Sequence, residues 1–126
     1  MIDEKVFLQS LDEVIDKEDK IIVLYSGLLN LLPKINFNLY KNENIVEKIL
    51  SLIEYKVGKE RTLILPSFSG EEFKKKKKFD IDRTIDRNNG ILSLTAFKRK
   101  YFRTSNPIHS YLVYGVKKDL KERKFI

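Results

Sequence analysis

The chain has 126 residues and 14.9 kDa, the size of a single domain. Its 42% hydrophobic content supports an ordered core. It has no cysteine and one histidine, His109, which excludes disulfides, thiolate metal sites, a cysteine nucleophile and a multi-histidine metal cluster. No apolar run approaches ~20 residues, so no membrane-spanning helix is expected. The acidic N-terminus MIDEKVFLQS does not have the form of a signal peptide, and the expected compartment is the cytoplasm. The net charge of +7 is uneven, with residues 1–60 carrying −3 and residues 61–126 carrying +10. That basic half would suit nucleic acid, a membrane surface or a phosphorylated small molecule, although a lysine-rich solvated surface is the commoner explanation.

Residues 3–16 place Val6, Phe7, Leu11, Val14 and Ile15 at helical spacing, with Asp3 as N-cap. KEDK at 17–20 is a polar turn. IIVLYS at 21–26 is a short apolar β-branched run, which predicts a buried, parallel strand over 21–25. LLNLLPKI follows, where Pro33 limits any helix. Residues 42–57 form the clearest helical pattern, with Ile45, Ile49, Leu52 and Ile53 on one face and Gly58 as C-cap. TLILP predicts a second buried strand over 62–65, stopped by Pro66.

Residues 67–89 show no periodicity and are expected to be one long loop. It contains Lys74 to Lys78, whose five adjacent charges predict an exposed, mobile segment. Only Phe73 and Phe79 flank that run, too little aromatic interleaving for a nucleic-acid reader. Helical spacing returns over 91–102, RTSNPIHS at 103–110 is turn-rich, and YLVYG at 111–115 predicts a third strand. KKDLKERKFI is a polar tail of helical composition. The alternation of helix and buried strand predicts an α/β fold, with a parallel or mixed sheet and flanking helices, in one domain over 1–126.

Chemistry is expected where strands end, because ligands of α/β sheets gather beyond the carboxyl ends of the strands. Ser26-Gly27 after the first strand lets backbone amides approach a ligand. Ser67 and Ser69 after the second supply hydroxyls. Arg103, followed by Thr104, Ser105 and Ser110, suits anion recognition. From the residues alone, an ordinary strand-ending turn is the favoured account of the Ser26-Gly27 and Ser67–Ser69 segments. His109 has no nominated partner to orient it, so no catalytic residue is assigned.

Taken together, Tyr25-Ser26-Gly27-Leu28, Pro66-Ser67-Phe68-Ser69, Gly90 before a helix, and Arg103, Thr104, Pro107 and Ser110 resemble the motifs of the aminoglycoside 3-N-acetyltransferase family. The match runs from about residue 20 to about residue 120. It departs from the family pattern in three places. Tyr25 stands where that family has histidine, Gly27 where it has serine, and Asn106 where it has the motif histidine. RTSNPIHS is closer to members found with surface-polysaccharide sugar genes. The resemblance implies an acetyl-coenzyme A-dependent transfer to the amine of an amino sugar or aminoglycoside. Ser26, Gly27, Ser67, Ser69, Arg103 and Ser110 would then line the coenzyme side.

Family members are usually about twice as long, and their general-base histidine belongs to the C-terminal half. The resemblance therefore implies a truncated acetyltransferase domain, weakly active or inactive alone, that pairs with a second chain or with itself. The alternatives are a non-catalytic interaction partner and a basic nucleic-acid-binding domain, of which the second is disfavoured. No metal site and no membrane contact are expected.

Overall fold

The computed structural model describes residues 1–76 and 78–115, with the side chain of Lys76 left out. Helix α1 covers Glu4–Val14, and the Asp3 carboxylate accepts the Val6 amide at 2.8 Å as its cap. Strand β1, Ile21–Val23, is shorter than the predicted span. Two 3-10 helices, Leu28–Asn30 and Leu32–Lys34, flank Pro33, whose missing N–H prevents a longer helix. Helix α2, Ile45–Val57, begins at Asn44, whose side chain accepts the Val46 amide at 2.7 Å. It ends at Gly58 with φ 74°, a left-handed cap that favours glycine. Strand β2 is Thr62–Pro66, α3 is Gly70–Lys76, α4 is Ile91–Lys98, β3 is Phe102–Arg103 and β4 is Tyr111–Gly115.

The sheet order is β1-β2-β4-β3. Strand β1 runs parallel to β2, with Ile22 opposite Leu63, while β4 is antiparallel to both β2 and β3. The sheet is therefore mixed, and the predicted α/β class is correct. Alternation puts Leu63, Leu65 and Leu112 on one face, where they meet Ile49, Leu50, Ile53 and Val57 of α2 and Leu92 and Ala96 of α4. Each such buried aliphatic side chain contributes about 1.5–3 kcal/mol. An Arg99–Glu54 ion pair at 3.0 Å ties α4 to α2.

Three expectations need correction. Strand β1 is parallel but not buried: it is an edge strand, with Ile21 47% and Val23 53% exposed. An apolar run has the same composition at an edge as at a sheet centre. Residues 67–89 are not one loop, because α3 and a 3-10 turn over Arg87–Asn89 interrupt them. Helix α3 has no apolar stripe to announce it, and its first amides are capped from a distance by Asp86. The predicted helix over 91–102 stops at Lys98. Lys100 adopts φ 65°, which turns the chain into β3, a two-residue strand too short to leave a period. Of the lysine run, Lys74, Lys75 and Lys78 are exposed and Lys74–Lys76 belongs to α3; Lys77 lies outside the described residues, as does the polar tail.

Candidate functional site at the strand ends

Strands β1 and β2 deliver two loops, 24–27 and 67–70, to the same end of the sheet. Helix α4 begins there as well. Its N-cap, Gly90, sits at φ 97° with no side-chain cap, and a Cβ on it would lie 3.4 Å from the Ser26 carbonyl. The first-turn amides of α4 thus start beside Ser26-Gly27 without a side-chain acceptor, at the positive end of the helix dipole. Gly27 is exposed and has nothing within 4 Å of where a Cβ would stand.

The four side chains expected at the second and third segments are brought together, but inward. Ser67, Ser69 and Ser110 are fully buried and Arg103 is 5% exposed. Arg103 Nε donates to Ser110 Oγ at 2.9 Å and to Ser67 Oγ at 3.2 Å, and its terminal nitrogens reach the carbonyls of Ser67 at 2.7 Å and Ile81 at 2.9 Å. Ser110 spends its one proton on the Ser67 carbonyl at 2.7 Å, so Ser67 donates across the 3.0 Å contact to Ser110 Oγ. Ser69 Oγ donates to the Pro107 carbonyl. Phe79 and Phe97 stack on the guanidinium at 5.2 and 5.1 Å. Burial lowers the Arg103 pKa to about 10, against the opposing pull of Asp82 and Asp86. The network joins β2, β3, the start of β4 and the segment around Ile81, and every donor in it has an acceptor within the protein.

Sequence reasoning passed over two residues that shape the loop. Asp86, 5% exposed, accepts the Glu71 and Glu72 amides at 3.1 and 2.8 Å and so caps α3. Asn89 accepts the Phe68 amide at 2.8 Å and donates to the Phe68 carbonyl at 2.7 Å, holding both backbone polar groups of that residue. Their signal was the DRNNG segment, rich in side chains that bond backbone, but such segments mark any turn. Phe68 also meets the rings of His109 and Tyr111 edge-on, at 5.5 and 5.4 Å. The Tyr111 phenol is hydrogen-bonded to Tyr25, which raises its pKa, and burial adds to the rise. His109 is exposed, and its backbone is held by an Asn106 side chain that accepts the Ile108 and His109 amides at 2.9 and 2.8 Å. A shallow hollow of about 290 Å³ lies between Phe68, Lys74, Asn88 and His109.

Such an arrangement offers backbone donors to an amide or an anion and basic side chains near it. The donor set fits a coenzyme of the pantetheine-phosphate type through backbone around 26–27 and 90–91. It does not fit through the hydroxyls of Ser67, Ser69 and Ser110, which are already committed. Among the described residues of this end, no side chain is positioned as a general base by a carboxylate partner. No described helix is long and apolar enough to cross a membrane.

No protein-family model and no curated protein matches the sequence. Solved structures do. The apoenzyme of aminoglycoside acetyltransferase AAC(3)-IVa superposes with a TM-score of 0.70 at 14% identity, over 93% of this chain and 42% of its own. The YokD protein from Bacillus subtilis gives 0.73 at 14%, over 96% and 53%. AAC-IIIb, solved as a binary complex with CoASH, gives 0.67 at 17%, over 93% and 47%. The chain spans about half the length of the structures it matches. At these identities the likeness is one of fold: the mixed sheet and its flanking helices have the architecture of about half of an aminoglycoside N-acetyltransferase.

Proposed function

We propose that this chain forms the coenzyme-binding portion of an N-acetyltransferase, one that moves the acetyl group of acetyl-coenzyme A to an amine of an amino sugar or aminoglycoside. The observation that carries this reading is the convergence of loop 24–27, loop 67–70 and the glycine-capped start of α4 at one end of the sheet. That a matched structure is a CoASH complex supports it. The RTSNPIHS segment supports a sugar amine of the surface-polysaccharide kind as acceptor.

In this reading Ser26 and Gly27 present backbone to the pantetheine amides, next to the first amides of α4. Ser67, Ser69, Arg103 and Ser110 serve the coenzyme by holding the backbone of loop 67–70 to the segments at Ile81 and 107–110, and Lys74 and Arg87 provide positive charge for phosphates. When bound, acetyl-coenzyme A supplies an activated thioester carbon. The acceptor amine must lose a proton as its nitrogen attacks, and no described residue of this end is placed to take it. The chain alone therefore turns over slowly or not at all, since a positioned base contributes about 100- to 10,000-fold.

Calorimetric titration with coenzyme A tests this, beside Gly27→Val. Gly27 has ordinary φ and open space, so valine folds without a clash yet covers the backbone that a ligand needs. The expected result is saturable binding that Gly27→Val weakens about tenfold or more. No binding, or equal binding by the variant, refutes the reading. Acetyl-coenzyme A consumption with a panel of amino sugars and one aminoglycoside should stay near background. Robust turnover abolished by His109→Ala would make His109 the base and overturn the expectation of low activity.

A further inference from the structure

We propose that β1 pairs antiparallel with β1 of a second copy of this chain, across a twofold axis through Ile22, so that one continuous sheet runs through a dimer. This inference is independent of the coenzyme.

The first argument is the direction of the backbone groups. Thr62 N–H donates to the Lys20 carbonyl at 2.9 Å, and Leu24 N–H donates to the Ile64 carbonyl at 2.8 Å. With Ile22 opposite Leu63 in the parallel register, Lys20, Ile22 and Leu24 are the residues whose backbone serves β2. The N–H and C=O groups of Ile21 and Val23 therefore point outward, and no described strand lies on that side. An antiparallel twofold through Ile22 sets Ile21 opposite the second copy's Val23 and repeats this pair by symmetry. Each pair can exchange both of its bonds, so every outward group between 21 and 23 finds a partner.

Side chains and charge agree with this geometry. Ile21 and Val23 are about half exposed, and Val14, on α1 beside them, is 74% exposed. A groove of about 370 Å³ between α1 and β1 is lined by Leu11, Val14, Ile15, Ile21 and Leu24. Natural edge strands are usually guarded by lysine, proline or a bulge, and Ile21–Leu24 has none of these. Residues 21–33 carry no charged side chain, in a protein of net charge +7. The twofold register sets Lys20 opposite Leu24 and Asp19 opposite Tyr25, so no charge faces a charge. A second copy, repelled by the rest of the molecule, meets its own neutral segment here.

The test uses sedimentation velocity from about 1 μM to about 1 mM protein, with amide hydrogen exchange at the two extremes. The expected result is a reversible dimer that does not grow further. On dimerisation the Ile21 and Val23 amides become protected, while Leu24, bonded to β2, is protected throughout. Val23→Pro removes an N–H that β2 does not use, and Val23→Lys places two like charges near the axis. Both should weaken dimerisation about tenfold or more with circular dichroism unchanged. If either variant unfolds, the exchange pattern of the unaltered chain decides. A chain monomeric at all concentrations, Ile21 and Val23 amides indifferent to concentration, open-ended growth, or a dimer unaffected by folded Val23 variants would each overturn the proposal. So would a monomer that uses this edge for a different polypeptide.

Discussion

Arg103 is the residue on which the strand-end architecture should depend most, and Arg103→Met isolates its role. Methionine keeps much of the stem between Phe79 and Phe97 but removes every donor. Some losses are cushioned: Ser110 Oγ still reaches the Ser67 carbonyl, and the two hydroxyls still bond each other. The Ile81 carbonyl loses the guanidinium bond, and with it goes the tie between that segment and β3. Bonds from a charged donor contribute about 1.5–3 kcal/mol each. Removing a buried charge returns part of its desolvation cost, the same effect that lowers the pKa to about 10. The balance is a loss of about 2–4 kcal/mol, out of a typical total of ~5–15 kcal/mol. Arg103→Lys should recover only part of it, because one ammonium cannot span the Ser67 and Ile81 carbonyls together. Urea unfolding followed by circular dichroism measures the change, read as a shifted midpoint at constant slope. Stability of Arg103→Met within about 0.5 kcal/mol of the unaltered chain would refute the reasoning. Unchanged stability with lost coenzyme A binding would show that the guanidinium contacts the ligand directly.

Asn89→Ala should cost about 1–3 kcal/mol and speed amide exchange at Phe68, because the Phe68 amide loses its acceptor while its carbonyl keeps the Asp86 amide at 3.0 Å. Gly115→Ala should cost about 3 kcal/mol or more in the same unfolding assay. Its φ is 107°, and the new Cβ would fall 2.1 Å from the Arg61 carbonyl. Alkali should destabilise the fold through Tyr101, whose phenol is pushed far above its usual 10.0 by burial and by its hydrogen bond to Glu54. A raised folded pKa means stability fully present below about pH 10 and lost as pH rises beyond it. Arg103, with its lowered pKa, acts in the opposite sense above pH 10. Tyr101→Phe should therefore flatten or reverse the alkaline loss in melting temperature, and an unchanged alkaline slope would contradict the assignment.

The parts legible in the sequence were those with a local cause. Asp3, Asn44 and Gly58 cap their helices by contacts within a few residues, so the starts and stops of α1 and α2 fell close to their predicted bounds. Strands β2 and β4 are long enough, and buried enough, to show their composition. What escaped depends on distant residues. Whether IIV lies at an edge or a centre is decided by where β4 inserts, and β4 is almost ninety residues downstream. Helix α3 owes its first amides to Asp86, well beyond its own C-terminus. The short β3 exists because Lys100 turns and β4 offers a free side.

The candidate site shows the same division in a more instructive form. Only the resemblance grouped positions 67, 69, 103 and 110, and the structure places them close together, yet residue type alone could not give the direction of a side chain. A serine at the end of a strand alternates between core and ligand with a shift of one residue. Here Ser67 continues the β2 ladder through its amide, which bonds the Ser110 carbonyl at 3.0 Å, and this register turns both hydroxyls beneath the loop. Once inside, they need a donor that reaches several oxygens at once, and a buried arginine fork between two phenyl rings meets that need. The hydroxyl-rich motif and the arginine are thus one structural device. What remains exposed beside this device is the backbone around Gly27 and the chain at Ile91, where α4 begins.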